Sequence, residues 1–328
     1  MALTSRRLLR RSLFAAFASC LVLPATVTIA GAEDFPTQPI RVIVPTDPGG
    51  AIDGIARAFQ RAFELTDVFA HNLAVINMAG AGGTVGTRAL RDAEPDGHTI
   101  GLWHDGLVTS KAMGVVDYDH EDFEILGATG IAQVGLAVSE DGRFETFEEV
   151  LEFAAENPDE VTVAVNIGLP VHFVPMQVAV EADVEFRYVQ SGGGARRLQS
   201  VIGGHTDLAM FSVQELVQYE ESGLKTVVLL TEERVEQFPD VPTAREFDID
   251  VVADSTRIWL APQGTPDDRL GRLRDAFRTA MENEEVAQQL IDFGLEPEFV
   301  EPEAVEAALD QARDRTLPLV ERARQLPQ

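Results

Sequence analysis

Two glycine-rich segments carry most of the recognisable chemistry of this sequence. Pro45-Thr46-Asp47-Pro48-Gly49-Gly50-Ala51 links the β-branched run Ile40–Val44 to a stretch of helical spacing, and Ser191-Gly192-Gly193-Gly194 opens a second such stretch that begins with Arg196-Arg197. Glycine lets backbone approach a ligand closely, and the free N–H groups of a helix N-terminus attract anions. Two such loops facing each other would grip a carboxylate without any charged side chain. Pro48, Gly49, Gly50 and Ala51 are therefore candidates on one side, and Ser191, Gly192, Gly193 and Gly194 on the other. Arg196 and Arg197 either add a charge-assisted hydrogen bond or solvate the surface. Asp53, in the first turn after the first loop, would repel an anion if it pointed inward, so a capping or hinge-bonding role suits it better. His172 follows the strand-loop Asn166-Ile167-Gly168 and is either a structural histidine or a ligand contact.

Signatures of catalysis are sparse. The six histidines, at 71, 98, 104, 120, 172 and 205, include no i,i+4 pair, so the zincin motif is absent. His98, His104 and Asp105 make a weak metal cluster, and neither a metal nor a cofactor is expected. There is no G-x-S-x-G elbow and no P-loop lysine motif. Gly80-Ala81-Gly82-Gly83-Thr84-Val85 approaches a dinucleotide fingerprint, but Val85 stands where the third glycine belongs. A glycine-rich turn opening a helix explains it better.

The elements that must position these loops alternate between strand and helix, which is the α/β pattern. Strands are predicted at 40–44, 73–76, 99–103, 125–128, 134–138, 161–165, 208–211 and 226–230. Helices are predicted after Ala51, at 84–92, 147–156, 171–181, 196–202 and 213–221, from Thr265-Pro266 through Met281, and from Pro302 onward. In the first, Ile52, Ile55, Ala56, Phe59 and Phe63 share one face. No linker of low complexity separates domains, so two domains would be joined by hinge strands.

The 328 residues suffice for two average domains. Twenty-six Lys+Arg face 54 Asp+Glu, a net charge of −28, which argues against nucleic-acid and polybasic membrane partners. Lys111 and Lys225 are the only lysines, and a carboxylate-rich, lysine-poor surface suits a high-salt habitat, where screening weakens self-repulsion. Residues 1–32 read as an export signal: Arg6, Arg7, Arg10 and Arg11 form a positive head, Leu13–Ile29 an apolar run, and Ala30-Gly31-Ala32 a cleavage site. The arginine pairs permit twin-arginine export, and Cys20 offers a lipid anchor as the alternative to cleavage after Ala32. Export places the protein in the periplasm or outside the cell.

Five motifs in order along the chain resemble the Bug family, the extracytoplasmic receptors of tripartite tricarboxylate transporters. They are Gln38–Pro45 with Pro48–Asp53, Asn77–Gly86, Pro95–Thr99, Phe238–Thr243 and Ala261–Pro266. The resemblance implies a two-domain fold of the type II periplasmic-binding-protein kind, each domain a mixed sheet flanked by helices, with the chain crossing the hinge twice. It places one domain at 33–132 plus 256–328 and the other at 133–255. It further implies a monomeric, non-catalytic receptor that captures a small organic acid and delivers it to large and small membrane subunits; a sensor module or a cleft enzyme such as a dehydrogenase is the rival. By position it assigns Pro48, Gly49, Gly50, Ala51 and Asp53 to one jaw, and Asn166, Gly168, His172 and Ser191–Gly194 to the other. The chain departs from the family pattern at 164–170, where Ile167 and Leu169 replace a small serine-bearing loop, and at 190–193, where a P-Y-K-G-type segment is missing. Those changes favour an acid with an apolar or aromatic body over citrate.

Overall fold

The computed structural model describes residues 35–325 apart from 293, 294 and 296. The predicted export signal and Cys20 lie outside the described residues. Ten strands and eleven α-helices among the described residues position the candidate loops. In the first lobe they are β1 (Ile40–Val44), α1 (Ala51–Thr66), β2 (Leu73–Asn77), α2 (Thr84–Arg91), β3 (Thr99–Trp103) and α3 (Gly106–Ala112). The long strand β4 (Phe123–Ser139) leads into the second lobe, built from α4 (Phe147–Glu156), β5 (Val161–Val165), α5 (Pro170–Glu181), β6 (Phe186–Gln190), α6 (Gly194–Ile202), β7 (Leu208–Ser212), α7 (Val213–Glu220) and β8 (Leu224–Leu229). Strand β9 (Asp254–Pro262) returns to the first lobe, followed by α8 (Asp267–Met281), α9 (Glu284–Asp292), β10 (Phe299–Val300) and α10 (Pro302–Thr316). A short terminal helix, α11 (Val320–Gln325), ends the described chain.

One sheet runs through both lobes in the order β2-β1-β3-β9-β4-β7-β5-β6, with β10 and β8 also paired to β4. The strands that precede the candidate loops are parallel to their neighbours: β1 with β2 and β3, and β5 with β6 and β7. Parallel strands require crossover helices, and these cover both faces. β4 and β9 pair antiparallel from Phe123↔Pro262 to Gln133↔Asp254, with irregularities between Ile125 and Gly127 and between Ala128 and Ile131. Gly127 and Gly130 take positive φ at those irregularities, a conformation that glycine adopts without strain.

Each lobe has its own core. In the first, Phe59 and Phe63 of α1 meet Trp259 of β9 and Phe277 of α8; the Trp259 and Phe277 ring centroids are 4.3 Å apart. In the second, Val163, Val165, Phe147, Phe173 and Phe186 are fully buried between sheet and helices. Each such side chain contributes about 1.5–3 kcal/mol of burial. Val305 and Leu309 of α10 belong to the first core, whereas Leu319, Val320 and Ala323 belong to the second, so the chain end bridges the two.

The predicted strands 125–128 and 134–138 are one continuous strand, β4. Strands β6 and β9 and helices α3 and α9 were not anticipated from the sequence pattern. Helix α8 begins at Asp267 with Pro266 at its N-cap, one residue later than Thr265-Pro266 suggests, because the Thr265 hydroxyl donates to Pro262 O instead of capping.

Candidate functional site

The loop after β1 is held from beneath. Asp53, only 2% exposed, accepts hydrogen bonds from the Gly49 N–H (2.8 Å), Arg57 Nε (3.0 Å) and Asn77 Nδ2 (2.9 Å). Asn77, at the end of β2, also donates to Thr46 O at 3.2 Å, which ties the loop to the neighbouring strand. Burial alone would raise the Asp53 pKa, but the bonds from Arg57, Gly49 and Asn77 and the Arg57 charge outweigh it, leaving the carboxyl below its ordinary value. Asp53 thus acts as a loop-positioning residue whose oxygens face inward. Pro48, Gly49 and Gly50 remain exposed above it, and Ala51 is half-buried.

Helix α1 has Gly50 at its N-cap, with no side chain to bond its first-turn N–H groups. Neither Leu169 at the N-cap of α5, which opens with Pro170, nor Gly193 at that of α6 bonds the first turn through a side chain. By contrast, Thr146 and Ser212 cap α4 and α7 through their hydroxyls. The uncapped starts of α1, α5 and α6 follow the C-terminal ends of parallel strands, where open α/β sheets bind ligands.

In the second lobe Gln190 organises both loops. Its Oε1 accepts from the Ile167 N–H at 2.7 Å, and its Nε2 donates to Asn166 Oδ1 at 3.1 Å. Ser191 and Gly192 donate through their backbone N–H groups to Val165 O, 2.8 and 3.3 Å away. Asn166, Gly168, Ser191, Gly192, Gly193 and Gly194 are thereby gathered at one edge of the lobe. His172 lies beneath them, 1% exposed, with its ring beside Tyr188 and Phe173. Burial lowers its pKa to about 4, so it is neutral at physiological pH. Gly168 N–H approaches His172 Nδ1 at 3.4 Å, and Nε2 has no hydrogen-bond partner.

Arg196 and Arg197 divide their roles. Arg196 is exposed. Arg197 is 7% exposed and donates to Gly192 O (3.1 Å) and Met210 O (3.2 Å), with its guanidinium 5.3 Å from the Phe211 ring centroid. It holds the Ser191–Gly194 loop as Asp53 holds the first one. The sequence offered no way to choose which of the two arginines is buried, although Arg197 and Val201 form an i,i+4 buried pair. Arg257, on β9, is a second buried guanidinium that sequence reasoning missed. Its Nη1 donates to Ser255 O at 3.0 Å, while its Nε has no partner. Burial lowers its pKa against the opposing charges of Glu215, Asp105 and Asp254.

The two lobes meet where these connections end. A Cβ added to Gly106, at the start of α3, would lie 3.2 Å from Leu169 Cδ2, and one on Gly168 would lie 3.6 Å from Met113 Cγ. Gln214 Nε2 on α7 donates to Asp292 O of α9 at 2.6 Å. A cavity of about 390 Å³ lies elsewhere between the lobes, lined by Asp105, Phe173, Gln177, Asp254, Leu309 and Arg315 among others. None of the candidate loop residues lines it. The pair His98 and His104 does not form a metal cluster: His98 bonds Asp96 and Thr37, whereas His104 Nδ1 accepts from the Gly106 N–H.

Residues 55–324 match the model of the tripartite tricarboxylate transporter family receptor. The chain belongs to that family. The receptor is 29% identical over 281 residues to a UPF0065 protein of Pseudomonas sp. strain P51, covering 83% of this chain and 82% of the relative. A TctC solute-binding protein from Polaromonas superposes with a TM-score of 0.71 at 28% identity, covering 88% of this chain and 99% of that one. MatC from Rhodopseudomonas palustris, solved with bound malate, shares the fold at a TM-score of 0.78 and 24% identity, covering 87% and 100%. The receptor is therefore a solute-binding protein of a family of periplasmic binding proteins, not of enzymes, and its two-lobed mixed α/β architecture is theirs. No helix among its described residues is long and apolar enough to cross a membrane.

Proposed function

We propose that the receptor captures an organic carboxylate between the Pro48–Asp53 loop and the loops at 166–168 and 191–194, and delivers it to the two membrane subunits of a tripartite tricarboxylate-type transporter. One observation carries this reading: α1, α5 and α6 begin without side-chain caps at the C-terminal ends of parallel strands, so backbone donors from both lobes are left for an anion. Pro48 and Gly49 would give a close backbone approach from one lobe, with Gly50 and Ala51 supplying N–H donors. From the other lobe the Gly193 and Gly194 N–H groups and the Asn166 amide would serve as donors, Gly168, Ser191 and Gly192 would shape the loops, and exposed Arg196 would be available as a counter-charge. Asp53 and His172 would position these loops rather than touch the ligand. Closure would bend β4 and β9 near residues 128–131 and 256–258, where the pairing is irregular.

Malate in MatC shows a hydroxy-dicarboxylate in a protein of this fold. The present loop differs in character, since half-buried Ile167 and Leu169 border it, and an acid with an apolar or aromatic body suits it better than citrate. The working place would be the periplasm or the cell exterior, reached through the export signal at residues 1–32. Calorimetric titration with citrate, malate, adipate and aromatic and branched acids tests the reading. The expected result is saturable binding, tightest for the acids with apolar bodies. Citrate binding as tightly as those acids contradicts the ligand class, and failure of every carboxylate contradicts the receptor's proposed cargo.

A further inference from the structure

Away from the interlobe loops, a turn that leads into β4 presents an unpaired histidine to the C-terminal helix. Asp119 builds this turn: its carboxylate accepts from the Glu121 N–H at 3.0 Å, its own N–H donates to Asp122 Oδ2 at 3.0 Å, and Lys111 Nζ holds it at 2.8 Å. The turn fixes His120 in the interior, where it is 2% exposed and neither ring nitrogen has a hydrogen-bond partner. A buried imidazole without a partner is destabilising, which a ligand at the ring would offset. His120 Nε2 points to Asp310 Oδ1 of α10 at 3.5 Å, longer than an ordinary hydrogen bond. Ligand atoms of His120, Glu121 and Asp310 all lie within 4.8 Å of one another.

We propose that His120, Asp310 and Glu121 form a binding site for a divalent transition metal of the zinc type. Two ligands about 2.0–2.2 Å from a tetrahedral ion are about 3.4 Å apart, close to the Nε2–Oδ1 separation. One imidazole and two carboxylates suit zinc and its neighbours better than magnesium or calcium, which prefer all-oxygen shells. A cation already occupies the outer side of the cluster: Arg313 donates from Nη2 to Asp310 Oδ1 (2.6 Å) and from Nη1 to Glu121 Oε1 (3.1 Å). Its guanidinium bridges the two carboxylates that the metal would share. Arg313 is partly exposed and can swing into solvent when the metal takes its place. The ion would fasten α10 to the turn before β4. α10 gives Val305 and Leu309 to the first core, and the chain that follows it gives Leu319, Val320 and Ala323 to the second, so the metal would brace the segment that leads from one core to the other.

The test is calorimetric titration of the chelator-stripped protein with Zn²⁺, alongside thermal melts. One equivalent should bind with a rise in Tm, and millimolar Mg²⁺ should not displace it. His120→Gln and Asp310→Asn should each weaken binding about tenfold or more, as loss of a ligand requires. Arg313→Gln should strengthen it by freeing both carboxylates. Asp310 is half-exposed, so Asp310→Asn reads the site even if His120→Gln folds poorly. Zinc binding unchanged in Asp310→Asn would show diffuse attraction to the acidic surface and overturn the proposal. So would absence of binding in both the native protein and Arg313→Gln.

Discussion

Asp53→Asn isolates what holds the first loop in shape. The substitution keeps size and one carbonyl oxygen but turns the other acceptor into a donor. With Oδ1 kept toward Asn77, the new NH₂ faces the Gly49 N–H and Arg57 Nε, now 2.8 and 3.0 Å from Oδ2. With the amide turned the other way, it faces the Asn77 Nδ2 donor instead. Either orientation sets donor against donor at a site 2% exposed. Losing one or two charge-assisted bonds there costs about 3 kcal/mol, discounted because Arg57 is half-exposed and can rehydrate. At about 2–4 °C per kcal/mol for a chain of this size, Tm should fall roughly 6–12 °C. The effect also has a pH signature. The Asp53 pKa lies below the ordinary 3.8 in the folded state, so its contribution is full above that value and is lost as pH falls through the folded value. Urea unfolding followed by the fluorescence of Trp103 and Trp259, both in the first lobe, measures this between pH 7 and 3. An unchanged midpoint in Asp53→Asn at pH 7, or an acid dependence equal to the native one, would refute the assignment of Asp53 as the loop's anchor.

Two further outcomes follow from buried groups in the second lobe. His172 titrates at about 4 in the folded state against 6.5 when exposed, so stability falls by roughly 3 kcal/mol as pH drops from 6.5 to 4, and His172→Leu should remove that slope; a slope retained in urea melts would contradict it. Arg197→Met keeps the side-chain length but leaves the Gly192 and Met210 carbonyls without their donor, so stability in urea melts should fall by about 1–3 kcal/mol. The released Gly192 carbonyl should weaken carboxylate binding about tenfold, and unaltered affinity by calorimetry would show that the loop needs no such support.

The sequence reveals the loops more clearly than what lies beneath them. Glycines 49, 50, 192, 193 and 194 mark strand-to-helix connections by composition alone; the structure places the first four in those connections and Gly194 at the first position of α6. The sequence splits the long strand β4 at 129–133, where Thr129, Gly130 and Gln133 interrupt the apolar pattern, although Gly130 serves the irregular pairing with β9. Strand β6 was legible in principle: Phe186 and Tyr188 alternate with exposed Arg187. The start of strand β9 is not, since Asp254, Ser255 and Arg257 have little strand preference, and Asp254 and Ser255 are held there by pairing with β4. Anchors such as Gln190, Arg197 and Arg257 act across 20 residues or more or through backbone carbonyls, so no local spacing exposes them. Asp53 is the reverse: its place in the first turn of a helix behind a glycine-rich loop points to a capping or hinge-bonding role, and in the structure it bonds Gly49, Arg57 and Asn77.

The central claim is that backbone donors from both lobes hold one carboxylate. Amide hydrogen exchange of the receptor, with and without a saturating acid found by the titrations, tests it residue by residue. The account predicts that amides of Gly49–Asp53 and of Ser191–Arg197 gain protection together, along with those at 166–168. Protection confined to the lining of the 390 Å³ cavity, such as Gln177 and Val252–Thr256, with both glycine loops unchanged, would contradict it.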